Sequence, residues 1–356
     1  MKQSVVLKLK SLTPFFIGSG EKYVPCQIVK IGDTYYRLRD MSFFRLLHKY
    51  PNIRKEFKKI VNETVQRVDK EINHDNDIFY QLKNYVGTID GEILQMIKHP
   101  SGAMYIPGSS IKGAIRTAIE YCLMKRNVGY FRNLVANALR TARRKQELQH
   151  ITKEINNHLR LIKNDLRSDF ARFLIVRDSN LINTPFCLLR IGIVKVQSQR
   201  LDPGSIKRTF LIEAAAPSIE LEVEIIFDMN GLEAIQKELS KNFSNVPRSI
   251  EQVLDCVREM YTDVVEDELR DLKNENSKYR QILEELKKQP NKIHIGYGGG
   301  LKACSLFILL DDQLRKNVRN LIKPHGNDVA PLSRRVVLSN GQIISPIGWF
   351  AFQVVR

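Results

Sequence analysis

No apolar run in this sequence approaches the roughly 18 residues that a membrane-spanning helix needs, and the N-terminal stretch MKQSVVLKLKSL alternates apolar and polar residues where a signal peptide would carry an apolar core. These absences predict a cytoplasmic chain. Five cysteines (Cys26, Cys122, Cys187, Cys256 and Cys304) include no C-x-x-C pair, which argues against a disulfide framework or a clustered zinc site and predicts buried thiols. Seven histidines (His48, His74, His99, His150, His158, His294 and His325) share no metal-ligand spacing. Neither a G-x-x-x-x-G-K-[ST] phosphate loop nor a G-x-S-x-G nucleophile motif occurs, and no cofactor is implied. Acidic residues are the scarce charge: 39 Asp plus Glu face 56 Lys plus Arg, a formal charge of +17, which points to a polyanionic partner, nucleic acid first.

The 356 residues, 43% of them hydrophobic, suffice for two domains. Period-two patterns predict strands over residues 3–10, 26–31 and 34–38, with the Pro/Gly-rich turn TPFFIGSGEK after the first. From residue 42 to about 85 the pattern is mixed and polar. A helix is predicted from about Ser110 to Lys125, because Ile111, Ile115, Ala118 and Cys122 share one face. Two basic helices are expected between Phe131 and Ala171, then a short strand RFLIVRDS. CLLRIGIVKVQSQR and TFLIEAAAPSIELEVEIIFD supply further strands, a helical segment runs from Ser249 to Gln289 with a seam of Leu272, Tyr279, Leu283 and Leu286, and SPIGWFAFQVVR closes the chain as a strand. The reading is α+β: residues 1–183 with a basic helical insertion near 125–172, and residues 184–356 with a helical insertion near 249–289.

Three glycine-bearing stretches carry the candidate chemistry. In YIPGSSIKGAIRTAI, Ser109 or Ser110 is placed to cap a helix, while Lys112 and Arg116 put positive charge in its first turns, where the macrodipole disfavours it by a few tenths to ~1 kcal/mol unless an anion is bound. Free amides, hydroxyls and two cations would then hold phosphate; the competing reading is a solvated surface. In IGSGEK, Gly18, Ser19, Gly20 and Lys22 would let backbone approach a sugar-phosphate chain, although a hairpin turn explains them nearly as well. IGYGGGLK packs Gly298, Gly299 and Gly300 ahead of Lys302 and fails the dinucleotide fingerprint, since Leu301 stands where its last glycine belongs and a strand-like segment follows. Arg140, Arg143 and Arg144 belong to a stretch, residues 125–172, whose twelve Lys/Arg against four Asp/Glu look too lopsided for internal pairing and suggest a groove lining. Asp178, in VRDS, is placed to cap a turn.

TPFFIGSGEKY, YIPGSSIKGAIRTAI, VRDS, IGYGGGLK and PIGWF, in that order, resemble the signature elements of the RAMP superfamily of CRISPR proteins, over nearly the whole chain. Within it the chain looks most like the Csm subunit that caps the guide-RNA (crRNA) 3′ side in type III-A complexes. The resemblance implies two ferredoxin-like (RRM-like) units, single-stranded guide RNA and neighbouring Csm subunits as partners, the repeating backbone subunit above all, and a part in guide 3′ maturation through recruited host nucleases. The family's backbone subunits carry a target-cleaving aspartate soon after the IG turn; here that stretch reads Glu21, Lys22, Tyr23, Val24, and Asp33 lies further on. The expectation is therefore a subunit that binds and does not cut. The alternatives are a RAMP endoribonuclease, either repeat-processing through a histidine or metal-dependent through Asp33 or Asp178, and a protein scaffold without RNA contact.

Overall fold

Alternating residues make the central sheet. In the strand Lys2–Ser11, Leu7, Leu9 and Ser11 turn inward, and in Glu220–Asp228 the buried set is Leu221, Val223, Ile225 and Phe227. The outward positions carry charge, with Lys8 opposite Glu222 and Lys10 opposite Glu220 in register. A computed structural model describes residues 2–65, 68–141, 149–243, 245–322 and 331–355. The chain is a mixed α+β protein with two sheets.

The smaller sheet has the order Lys292–His294, Trp349–Val354, Lys2–Ser11, Glu220–Asp228, Leu174–Val176, antiparallel throughout. The helix Gly108–Arg126 leads into Leu174–Val176, and Ile250–Asp271 precedes the last strands, so this sheet and its two helices form one β-α-β-β-α-β unit. The helices pack on each other and on the sheet. Strands of the larger sheet are drawn from the connections between these elements. Its order begins Gly18–Tyr23, Ile93–Met96, Thr209–Ala214, Phe186–Gln197 and continues through Ile78–Asn84, Thr34–Leu38 and Ile28–Ile31; Ser333–Ser339 also pairs with Phe186–Gln197. The two sheets are thus interleaved along the chain, one hydrophobic cluster spans both, and a division at residue 183 runs through each of them. Pairing between residues 2–11 and 349–354 carries no local signal, which is why the sequence suggests a boundary there.

The segment between residues 40 and 77, which reads as merely mixed and polar, folds as short helices over the hairpin 28–38 with a core of its own around Phe43, Leu46, Ile53 and Val61. The helical stretch expected from Ser249 to Gln289 is two helices, Ile250–Asp271 and Lys278–Lys288, and its seam residues Leu272, Tyr279, Leu283 and Leu286 are all buried. After the glycine-rich turn the chain forms a helical turn, Gly300–Ala303, in place of the expected strand-like segment.

Candidate RNA interface

The YIPGSS and VRDS motifs meet. Gly108 opens its helix so close to the strand Leu174–Val176 that a Cβ there would lie 2.2 Å from the Val176 carbonyl oxygen. Asp178 Oδ1 accepts from Gly108 N at 2.7 Å, Ser179 Oγ accepts from Ile106 N at 2.9 Å, and Ser179 N donates to Ile106 O at 3.0 Å. The helix therefore starts at Pro107–Gly108, and Asp178 supplies the carboxylate that the macrodipole favours. No side chain of the N-cap residue caps the helix, which corrects the cap expected of Ser109 or Ser110; Ser109 is exposed and Ser110 half-buried.

Arg116 also departs from expectation. Its guanidinium binds Asp169 through both Nη atoms at 3.0 Å, Glu120 through Nε at 2.9 Å and Asn156 at 3.2 Å. A cation held by two carboxylates ties its helix to the 3₁₀ turns that follow and is not free for phosphate. Lys112 has no salt-bridge partner among the described residues; burial and then the Arg116 charge lower its pKa. The surrounding basic stretch is paired as well, by distant acids that composition counted over 125–172 leaves out: Lys125 with Asp263 and Glu259, Arg132 with Asp311, and Arg160 with Asp169 nearby. Arg140 is exposed on the helix Val128–Thr141, beside a groove of about 480 Å³ shared with Asn317 and Asn320. Arg143 and Arg144 lie outside the described residues.

A second joint gathers TPFFIG, IGYGGG and PIGWF. Ile295 N donates to Gly348 O, Gly348 N to Pro14 O and Tyr297 N to Phe16 O, each at 2.8–2.9 Å. Gly298, at φ +109°, would put a Cβ 2.2 Å from Ile347 Cγ2, and Gly299 would put one 2.6 Å from Cys304 Sγ. Their lack of side chains answers to these protein neighbours. Gly300 is exposed, and a Cβ there would lie 3.9 Å from Arg335 Nη1. Lys302 is not the free cation its position after the glycines suggests. It is buried among Asp267, Glu268 and Asp271 at 2.7, 3.0 and 2.6 Å, in a cluster that also holds Arg315 and Arg334. Burial alone would raise the Glu268 pKa, but Arg334 and Lys302 outweigh it and hold the carboxyl at about 2.

The IGSG turn belongs to an exposed edge strand, Gly18–Tyr23, whose register against Ile93–Met96 breaks between Gly18 and Lys22. Gly20 has φ +90° and open space around it. Ser19 Oγ donates to Gln95 O, and Lys22 makes an exposed ion pair with Glu92 at 3.0 Å, a contact of little strength in water. Phe16 joins this turn to the other one. Its ring lies 3.3 Å from the Cβ position of Gly18 and 6.0 Å, edge-on, from Tyr297, which also meets Phe210 edge-on. The Arg335 guanidinium covers the Tyr297 ring at 5.2 Å. Arg335 is exposed and has no salt bridge among the described residues. It takes the place expected of Lys302. The signal that could have found it is alternation: in Ser333–Ser339, Arg334 turns in to Glu268 and Arg335 turns out.

The family model described as the RAMP superfamily matches residues 8–324. The chain is 24% identical to a protein of Methanocaldococcus jannaschii described as CRISPR system Cms protein Csm5, over an alignment of 397 residues covering 98% of this chain and 89% of that one. Its fold is similar to a chain in a structure of the Csm–crRNA–target RNA ternary complex of a type III-A CRISPR-Cas system, at a TM-score of 0.69 and 21% identity, covering 99% of this chain and 100% of the other. It is also similar to the crystal structure of T. onnurineus Csm5, at a TM-score of 0.64 and 20% identity over 97% and 99% of the two chains.

Proposed function

This chain belongs to the RAMP superfamily, and on that premise we propose that it is a non-catalytic, guide-RNA-binding subunit of a type III-A Csm complex that caps the 3′ side of the crRNA. Full-length similarity to Csm5 proteins supports the role, and the excess of 56 basic over 39 acidic residues suits a polyanion. One observation carries RNA contact: two glycine turns converge on Phe16 beside Arg335, an exposed cation with no salt bridge among the described residues. Gly18, Ser19, Gly20, Lys22, Gly300 and Arg335 form this surface, and exposed Ser109 with half-buried Ser110 and Lys112 adds the start of the 108–126 helix. Such contacts see phosphate and the faces of bases more than base edges, so binding is sequence-tolerant. Packing on the last backbone subunit, and helping recruited nucleases define the guide 3′ end, complete the reading. Asp178 is engaged at Gly108 N, and Asp33 is fully exposed beside Lys30, so neither stands in an assembled acidic site.

Filter binding of single-stranded RNA across a salt series tests the interface. Arg335→Glu should weaken binding and lower the log–log slope by roughly 0.7, the value for one single-strand phosphate contact. A wild-type slope in that variant removes the interface. Incubating the chain with repeat and target RNA, with and without divalent metal, tests the absence of cleavage. Reconstituting a Csm complex without this subunit and sequencing the guide tests the cap, because ragged or longer 3′ ends are expected.

A further inference from the structure

The register of the larger sheet puts four cations on one face. Arg335 stands opposite Ile193 where Ser333–Ser339 pairs with Phe186–Gln197, and Lys195 stands opposite Ser333 on that same side. Across the central strand Ile193 N donates to Arg208 O, which sets Arg208 beside Ile193 as well, and Arg200 stands opposite Gln197. Residues 193, 195 and 197 share one side of their strand, so these partners share it too. Arg334, one step along, turns to the other side and meets Glu268. Arg200, Arg208, Lys195 and Arg335 are all exposed, and none makes a salt bridge among the described residues.

Elsewhere this chain neutralises cations that look free in the sequence, Lys125 and Lys302 among them, with distant acids. Here the acid at the paired positions is Asp202, opposite Lys195, and its Oδ1 accepts from Gly204 N at 3.0 Å. Four like charges against one, on a face about 10 Å wide at two strand spacings, repel one another until an anion is bound. The face is continuous with the glycine turns, because the Arg335 guanidinium covers the Tyr297 ring, which meets both Phe16 and Phe210 edge-on. We propose that it is a phosphate track: the guide RNA leaves the glycine turns over Arg335 and crosses Arg208, Lys195 and Arg200, which bind its phosphates. Cations on an open sheet face meet backbone and no base edge, so the track sets the path of the strand and not its sequence. This rests on the RNA-binding reading above.

The test is filter binding of oligouridine to the full chain between about 50 and 200 mM salt, with two double variants that each remove two positive charges. Lys195→Gln with Arg208→Gln takes them from the track. Arg54→Gln with Lys55→Gln takes them from exposed positions on a short helix over the 28–38 hairpin, where neither residue has a salt bridge among the described residues. The track variant should lower the log–log slope by roughly 1.4, two single-strand phosphate contacts, so its affinity falls about sevenfold less than that of the wild type across the range. The control variant should keep the wild-type slope. Equal changes in both variants would mean net charge alone, and a wild-type slope in the track variant would mean solvated cations; either overturns the track while RNA binding stands. Wild-type protein that binds no oligouridine overturns both readings. Should a variant fold poorly, photocrosslinking of 4-thiouridine RNA to the wild-type protein decides: crosslinked peptides should come from 193–208 and 333–337, and peptides confined elsewhere overturn the track.

Discussion

Replacing Lys302 by methionine separates the two meanings of a lysine after a glycine turn. Its ammonium lies within 3.0 Å of Asp267, Glu268 and Asp271, and its side chain is 5% exposed. Arg270, Arg315 and Arg334 remain around the three carboxylates, but Arg270 and Arg315 both turn to Asp267, so methionine leaves buried Glu268 and half-buried Asp271 sharing Arg334 alone. Breaking a buried pair from one side costs about 3–5 kcal/mol. For a chain of this size that lowers Tm by roughly 4–7 °C, read by differential scanning fluorimetry. The loss should shrink in acid. Glu268 has a pKa held at about 2 in the folded state, so its contribution is fully present above the ordinary carboxylate range and fades as pH falls toward 2. Across that window the wild-type protein loses roughly 3 kcal/mol from this group, and the variant, whose carboxylates are less depressed, loses less. RNA affinity, measured at a temperature where the variant is folded, should stay at the wild-type value with an unchanged salt slope. A variant that melts like wild type and binds RNA more weakly would refute the assignment and return Lys302 to the RNA interface.

Other positions divide the same way. Gly108→Ala should destabilise the fold by several kcal/mol or prevent folding, because of the 2.2 Å approach to Val176 O, whereas Gly113→Ala, in open space within the same helix, should add about 0.5–1 kcal/mol of stability by thermal melting. Arg116→Glu should lower Tm, since it repels Asp169 and Glu120, while Lys112→Glu should leave Tm nearly unchanged and weaken RNA binding by electrophoretic shift; the reverse pattern would exchange their roles. His294, with its pKa lowered to about 4 by burial, contributes stability that is present above the ordinary histidine pKa and is lost as pH falls through the folded value. Urea midpoints should therefore drop between pH 7 and 5 by an amount equivalent to about 2 kcal/mol, and a flat profile there would count against a buried neutral imidazole.

Period and composition made the local pieces readable. The strand at residues 2–11, the helix over 108–126, the buried seam of Leu272, Tyr279, Leu283 and Leu286 and the closing strand all follow from apolar spacing that one short window contains. What joins them is not local. Asp178 meets Gly108 across 70 residues, Lys302 meets Asp267 across 35, and Gly348 meets Pro14 from the other end of the chain. The same distance hid the fate of the charges. A basic stretch looks unpaired when counted against its own acids, yet Lys125 finds Asp263 and Arg132 finds Asp311.

The glycine motifs show why such signatures mislead a residue-by-residue reading and still identify a family. An interleaved fold must pass one chain segment tightly against another wherever its two sheets exchange strands, and only glycine admits a backbone approach as close as those at Gly108, Gly296 and Gly298. Polar groups close such a joint, as Ser179 does at Ile106, while Lys302 beside the other glycine turn goes to the carboxylates of the helix Ile250–Asp271. Exposure then separates binding from folding. Gly20, Gly300 and Arg335 are exposed next to these joints, so the positions we propose to meet RNA are held by the motifs and are for the most part not the motif residues themselves.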